Sequence, residues 1–137
     1  SRLFKSLSRR LRQPFNSLYA RYRLKEYHSK NRSLEEVVDW AMNFGGGGYM
    51  TVNTLQIPTE ITQLAKAVQA INPKIIVEIG TARGGTLLIW SYLASQRVIT
   101  CDLNDMSFQR PVFSQFPPPG SNCPVPISPL AVSACCL

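Results

Sequence analysis

The stretch Lys74-Ile75-Ile76-Val77-Glu78-Ile79-Gly80-Thr81-Ala82-Arg83-Gly84-Gly85-Thr86, with Arg97-Val98-Ile99-Thr100-Cys101-Asp102 downstream, carries the fold of this chain. The run 74–79 is rich in β-branched residues and lies between Pro73 and Gly80. It predicts a fully buried strand of a parallel sheet, since a strand covered on both faces has no polar side to alternate with. Gly80 to Gly85 predicts a glycine-rich turn, Thr86 to Ala94 a crossover helix built on Leu87, Leu88, Ile89, Trp90 and Leu93, and residues 97–102 a second strand ending in an acid. Strand, glycine turn, helix, strand and acid form the mononucleotide-binding half of an open α/β sheet. Its ligands bind beyond the carboxyl ends of the strands, where the turn and Asp102 fall.

Each part has a physical role. Gly80 permits the sharp turn, and the missing side chains at Gly84 and Gly85 are expected to let a ligand approach the backbone. The first N–H groups of the following helix have no partner within it and suit an anionic group. A carboxylate at the tip of the second strand, Asp102, can accept hydrogen bonds from both hydroxyls of a ribose, which favours an adenosine-type ligand.

A dinucleotide fingerprint, Gly-x-Gly-x-x-Gly, wants glycine where this chain has Ala82. With Glu78 two residues before the first glycine, Val77-Glu78-Ile79-Gly80-Thr81-Ala82-Arg83-Gly84-Gly85-Thr86 instead resembles the first motif of S-adenosylmethionine-dependent class I methyltransferases. Gln56-Ile57-Pro58-Thr59-Glu60, leading into a helix, adds a likeness to their cephalosporin hydroxylase-like group. The resemblance covers about residues 34–108. It implies a Rossmann-like fold in which Gly80, Thr81, Gly84 and Gly85 surround the methionine portion of S-adenosyl-L-methionine, Glu78 orders its ammonium, and Asp102 holds the ribose. It also implies methyl transfer to a small-molecule or sugar hydroxyl. Relatives of this kind carry a later strand ending in acids and a His. No such sequence follows Asp102 here, and the one His, His28, lies far upstream and reads as a surface residue.

Outward from this unit the chain changes character on both sides. The 137 residues carry 15 Lys+Arg against 8 Asp+Glu, a net charge of +7. Residues 1–32 hold Arg2, Lys5, Arg9, Arg10, Arg12, Arg21, Arg23, Lys25, Lys30 and Arg32 against the single acid Glu26, so the excess of base lies entirely in this arm. Leu3, Phe4, Leu7 and Leu11 make one helical stripe, Pro14 interrupts, and Phe15, Leu18, Tyr19 and Tyr22 make another. The bland expectation is a basic helix that docks its apolar stripe on the neighbouring domain and leaves its bases in water. Weak contact with a membrane surface, nucleic-acid binding and a targeting peptide compete with it. Ser33 and Glu36 form a capping box that opens a short helix, ended by Gly45 to Gly48, a glycine run that reads as a flexible connector. Pro58 opens another helix, with Ile61, Leu64, Ala65, Val68 and Ile71 on one face and Asn72-Pro73 as its stop.

Residues 111–137 contain no charged residue and include Pro117-Pro118-Pro119. Three of the four cysteines, Cys123, Cys135 and Cys136, fall here without a Cys-x-x-Cys pair, so a zinc site is not expected. A domain of ordinary composition is about a quarter charged. The segment therefore reads as a disordered Pro-rich tail foreign to the domain, as a shifted reading frame would produce. No run approaches the roughly 18 apolar residues that a spanning helix needs.

The expected architecture is α/β: a truncated Rossmann-like methyltransferase, its first βαβ unit preceded by amphipathic helices. Residues 1–32 form a basic arm, 33–110 a partial cofactor-binding domain, and 111–137 the tail. The expected function is S-adenosylmethionine-dependent methyl transfer in the cytoplasm, with a small-molecule partner rather than nucleic acid and no metal. This chain is expected to be incomplete and inactive alone, because two parallel strands leave their Ile and Val faces unburied. An NAD(P)-dependent oxidoreductase fragment and a non-catalytic basic module are the competing classes.

Overall fold

A computed structural model describes residues 15, 17–44, 52–104 and 109–116. The first arm stripe, the Gly45–Gly48 connector and the tail beyond Phe116 lie outside the described residues. The elements in order are α1 (residues 17–27, with Phe15 also helical), α2 (Leu34–Asn43), α3 (Pro58–Ile71), β1 (Ile75–Ile79), α4 (Gly85–Leu93), β2 (Arg97–Cys101) and α5 (Arg110–Phe113).

Local signals set the ends of these elements. In α2 the Ser33 N–H donates to Glu36 Oε2 at 2.8 Å and the Glu36 N–H donates back to Ser33 Oγ at 3.3 Å, completing the capping box. Pro58 sits in the first turn of α3, where its missing N–H costs nothing. Asn72 closes α3 in the left-handed region at φ 51°, donating its N–H to Gln69 O at 3.0 Å, and Pro73 prevents continuation.

The strands pair in parallel, with Ile75 opposite Arg97 and Ile79 opposite Cys101. Ile76, Glu78, Val98 and Thr100 share one face, against which α4 packs. Helix α4 is apolar nearly all round: Leu87, Leu88 and Ile89 are fully buried between the sheet and helices α2 and α3. The opposite face of β1 is bare, with Ile75, Val77 and Ile79 exposed. The fully buried strand expected from the sequence is thus half-buried, because the described helices cover only one side of the sheet. In α3 likewise, Ile61 and Ala65 are buried but Leu64 and Ile71 are exposed.

Helix α1 docks, though not by the expected stripe. Ala20, Leu24 and Tyr27 enter the core, while Phe15, Leu18, Tyr19 and Tyr22 point away from it into solvent. The stripe that docks is narrower and includes a base. The Arg23 and Arg32 guanidinium groups lie 4.7 Å and 4.6 Å from the Trp40 ring, a cation–π arrangement that favours arginine over an aliphatic residue. Arg32 also donates from Nε to Tyr27 O at 2.9 Å and from Nη2 to Glu26 O at 3.1 Å. Two of the arm's bases therefore build the fold instead of lining a solvated face. Burial pushes the Tyr27 hydroxyl up to about 12, against the lowering effect of nearby Arg32.

The described residues after Arg110 pack on the domain. Residues 110–116 fold back onto the domain, burying Val112, Phe113 and Phe116, and half-buried His28 is 2.6 Å from Gln115 O through its Nε2. These burials come from apolar side chains in a stretch whose charge content does not reveal them.

Leu24→Ala should destabilise the protein by roughly 2–4 kcal/mol, whereas Leu18→Ala should change stability by less than about 0.5 kcal/mol. Urea unfolding followed by circular dichroism measures both.

Candidate functional site

The turn between β1 and α4 lies beside the end of β2. The Gly80 N–H donates to Cys101 O at 2.8 Å and the Gly84 N–H to Thr81 O at 2.8 Å, which closes the bend. Gly80 at φ 90° and Gly84 at φ 77° occupy the left-handed region, as does Ala82 at φ 48°. The Asp102 carboxylate faces this bend: Oδ2 accepts from the Ala82 N–H at 2.8 Å, and Oδ1 accepts from the Asn104 N–H and amide Nδ2, each at 2.8 Å. Partial burial works to raise the Asp102 pKa. The donors of Asn104 and Ala82 outweigh it and hold the carboxyl below its ordinary value, so Asp102 is an anion at neutral pH.

The glycines divide by role. A Cβ at position 80 would meet nothing within 4 Å, so the open side of the bend is at Gly80. A Cβ at 84 would fall into the ring of Phe113, and one at 85 into the backbone of Asn53 and Thr54. Gly84 and Gly85 are therefore glycines because the protein's own chain packs against them, whereas the space beside Gly80 is open. Asn53 also accepts a hydrogen bond from Arg83 Nη1 at 3.3 Å.

Glu78 points away from the open side. Its Oε1 accepts from Thr86 Oγ1 at 2.5 Å and Trp90 Nε1 at 3.0 Å, and its Oε2 accepts from Thr100 Oγ1 at 2.9 Å. Thr81 Oγ1 lies 2.5 Å from Thr100 Oγ1, extending the network to the bend. Burial pushes the Glu78 pKa up, opposed by the hydrogen bonds of Thr86, Thr100 and Trp90, and the Asp102 charge adds to the rise.

Of the six residues singled out in the sequence, Gly80, Thr81 and Asp102 meet at the bend, Glu78 lies beneath it, and Gly84 and Gly85 form its packed side. Sequence reasoning missed Asn104, Asn53, Thr100 and Phe113. Only Asn104 had a local signal, an amide two residues after the acid.

With this geometry in place, comparison with known proteins settles the family. The family described as Rhamnosyl O-methyltransferase/CmcI matches residues 40–120, more than half of the chain. The chain belongs to that family. The resemblance in the glycine-turn motif is thereby confirmed, and at family level the activity is S-adenosylmethionine-dependent O-methyl transfer. The match extends to residue 120, past α5. No curated protein and no solved structure matches.

Substitutions at Gly80, Gly85 and Glu78 test this site. Gly85→Ala should destabilise by about 3 kcal/mol or more, since fixed backbone must move. Gly80→Ala should cost only about 1–2 kcal/mol of conformational strain. Glu78→Ala, which orphans three donors, should cost roughly 2–4 kcal/mol. Because the folded-state pKa of Glu78 lies above its unfolded value, the stability it permits is full in acid and is lost as pH rises through the folded-state pKa. Glu78→Gln, which can keep Thr86 and Trp90 on its oxygen and donate to Thr100, should therefore gain on the wild type over that rise and level off above it, as read by urea midpoints across pH.

Proposed function

We propose that the bend at Gly80–Thr81 and the Asp102 carboxylate form the S-adenosyl-L-methionine site of a Rossmann-like O-methyltransferase unit. The observation that carries this is the ionised Asp102 side chain facing an open, side-chain-free bend at the ends of two parallel strands. When bound, the cofactor supplies an electrophilic methyl group on a sulfonium.

The residues present fit such a group. Hydrogen bonds from Ala82 and Asn104 already reach Asp102, and the most easily displaced is that of the exposed Asn104 amide. A ribose hydroxyl replaces it without leaving a buried donor orphaned. The Ala82 N–H fixes the other carboxylate oxygen, so Asp102 is oriented before anything binds and little ordering cost remains. No side chain caps α4, which leaves its first N–H groups as the positive end beside the bend. Glu78 acts through Thr86, Thr100 and Thr81. It is a positioning residue for the bend, and its charge orders an ammonium group only across the Thr81–Thr100 pair.

Methyl transfer by in-line displacement draws mainly on proximity and orientation, and the acceptor is a small-molecule or sugar hydroxyl. In the same reading these 137 residues bind cofactor but do not turn it over. Beyond Asp102 the sequence holds no His and a single acid, Asp105, to take the hydroxyl proton, and none of the described residues covers the exposed face of β1.

Calorimetric titration should show S-adenosylhomocysteine binding and no NADH binding. Asp102→Ala should weaken that binding roughly tenfold or more with an unchanged far-ultraviolet spectrum. Binding of NADH in place of S-adenosylhomocysteine would establish the oxidoreductase alternative.

A further inference from the structure

Helix α1 has two apolar faces, and only one is used. Ala20, Leu24 and Tyr27 anchor it to the domain, while Phe15, Leu18 and Tyr22, 75, 67 and 67 % exposed, stand on the opposite side with Tyr19. A helix that merely covered its domain would have a polar outer face. Exposed Arg21 and Lys25 flank this second stripe, and the Glu26 carboxylate beside it is paired with Arg23. The sequence immediately upstream adds Arg2, Lys5, Arg9, Arg10 and Arg12 with no acid.

We propose that α1 rests on an anionic lipid surface, with Phe15, Leu18 and Tyr22 in the headgroup–acyl boundary and Arg21 and Lys25 against lipid phosphates. Large apolar side chains between bases are the pattern of a helix lying in a membrane interface. Tyrosine suits that depth because its ring is apolar and its hydroxyl stays hydrated. Among the described residues no helix is long and apolar enough to cross a membrane. Charge selects this occupant over a second copy of the chain, whose own α1 would present the same positive flank and repel it. The stripe separates it from nucleic acid, which draws on the bases and has no use for an exposed Leu18. The inference is independent of the cofactor site.

The test is co-sedimentation of the full chain with vesicles of phosphatidylcholine alone or mixed with phosphatidylglycerol. Binding should require phosphatidylglycerol and fall with added salt. Arg21→Gln and Lys25→Gln should each weaken it roughly fivefold, and Leu18→Ser with Tyr22→Ser roughly tenfold or more. Val77→Ser, on the bare sheet face, should leave it unchanged. These side chains are on the surface, so circular dichroism should show every variant folded. Equal binding to both vesicle types would overturn the proposal, as would loss with Val77→Ser alone. A wild-type dimer that Leu18→Ser converts to monomer would assign the face to self-association. Duplex DNA binding that outcompetes vesicles and ignores Leu18 and Tyr22 would assign the arm to nucleic acid.

Discussion

A carboxylate withdrawn from water must be given hydrogen-bond donors or give up its charge. Glu78 takes its donors from three places at once: the first turn of α4 through Thr86, the middle of α4 through Trp90, and β2 through Thr100. That one side chain ties the crossover helix to both strands just below the bend. Through the contact between Thr100 and Thr81 it also fixes the bend. The position of Asp102 follows, because its partner Ala82 belongs to the same bend. A change at Glu78 is therefore felt at the candidate cofactor site without Glu78 facing it.

The glycine turn shows how one motif serves two demands. Under the proposed function, a ligand needs bare backbone on the open side, where a Cβ at Gly80 would meet nothing within 4 Å. Close packing needs bare backbone on the inner side, where Gly84 meets Phe113 and Gly85 meets Asn53 and Thr54. The second demand explains why a segment before the domain's first strand and another after its second strand both converge on this turn. It also explains why residues 110–116, poor in charge though they are, belong to the folded unit.

Helix α1 joins that unit by a device peculiar to basic segments. Arginine can lie flat on an aromatic ring, so Arg23 and Arg32 pack on Trp40 where aliphatic residues would ordinarily be expected. This arrangement turns the larger apolar side chains of the helix outward. The positive charge of the described part of the arm is thus divided between holding α1 in place and flanking a stripe that none of the described residues covers.

Much of the architecture was legible from residues close together in the chain. The capping box of Ser33 and Glu36, the Pro58 start, the Asn72-Pro73 stop, the order of strand, turn, helix and strand, and Asp102 at the strand tip all depend on a few neighbouring residues. So did the family, through the motif from Val77 to Thr86. Three features were decided only by the tertiary structure: which face of α1 docks, why positions 84 and 85 are glycine, and where the Glu78 carboxylate finds its donors. Each depends on residues distant in sequence, such as Trp40 for Arg23, Asn53 for Gly85 and Thr100 for Glu78. Hydrophobic period gives the existence of an apolar face. It does not say what that face meets, because burial is a property of the assembled surfaces and not of any one segment.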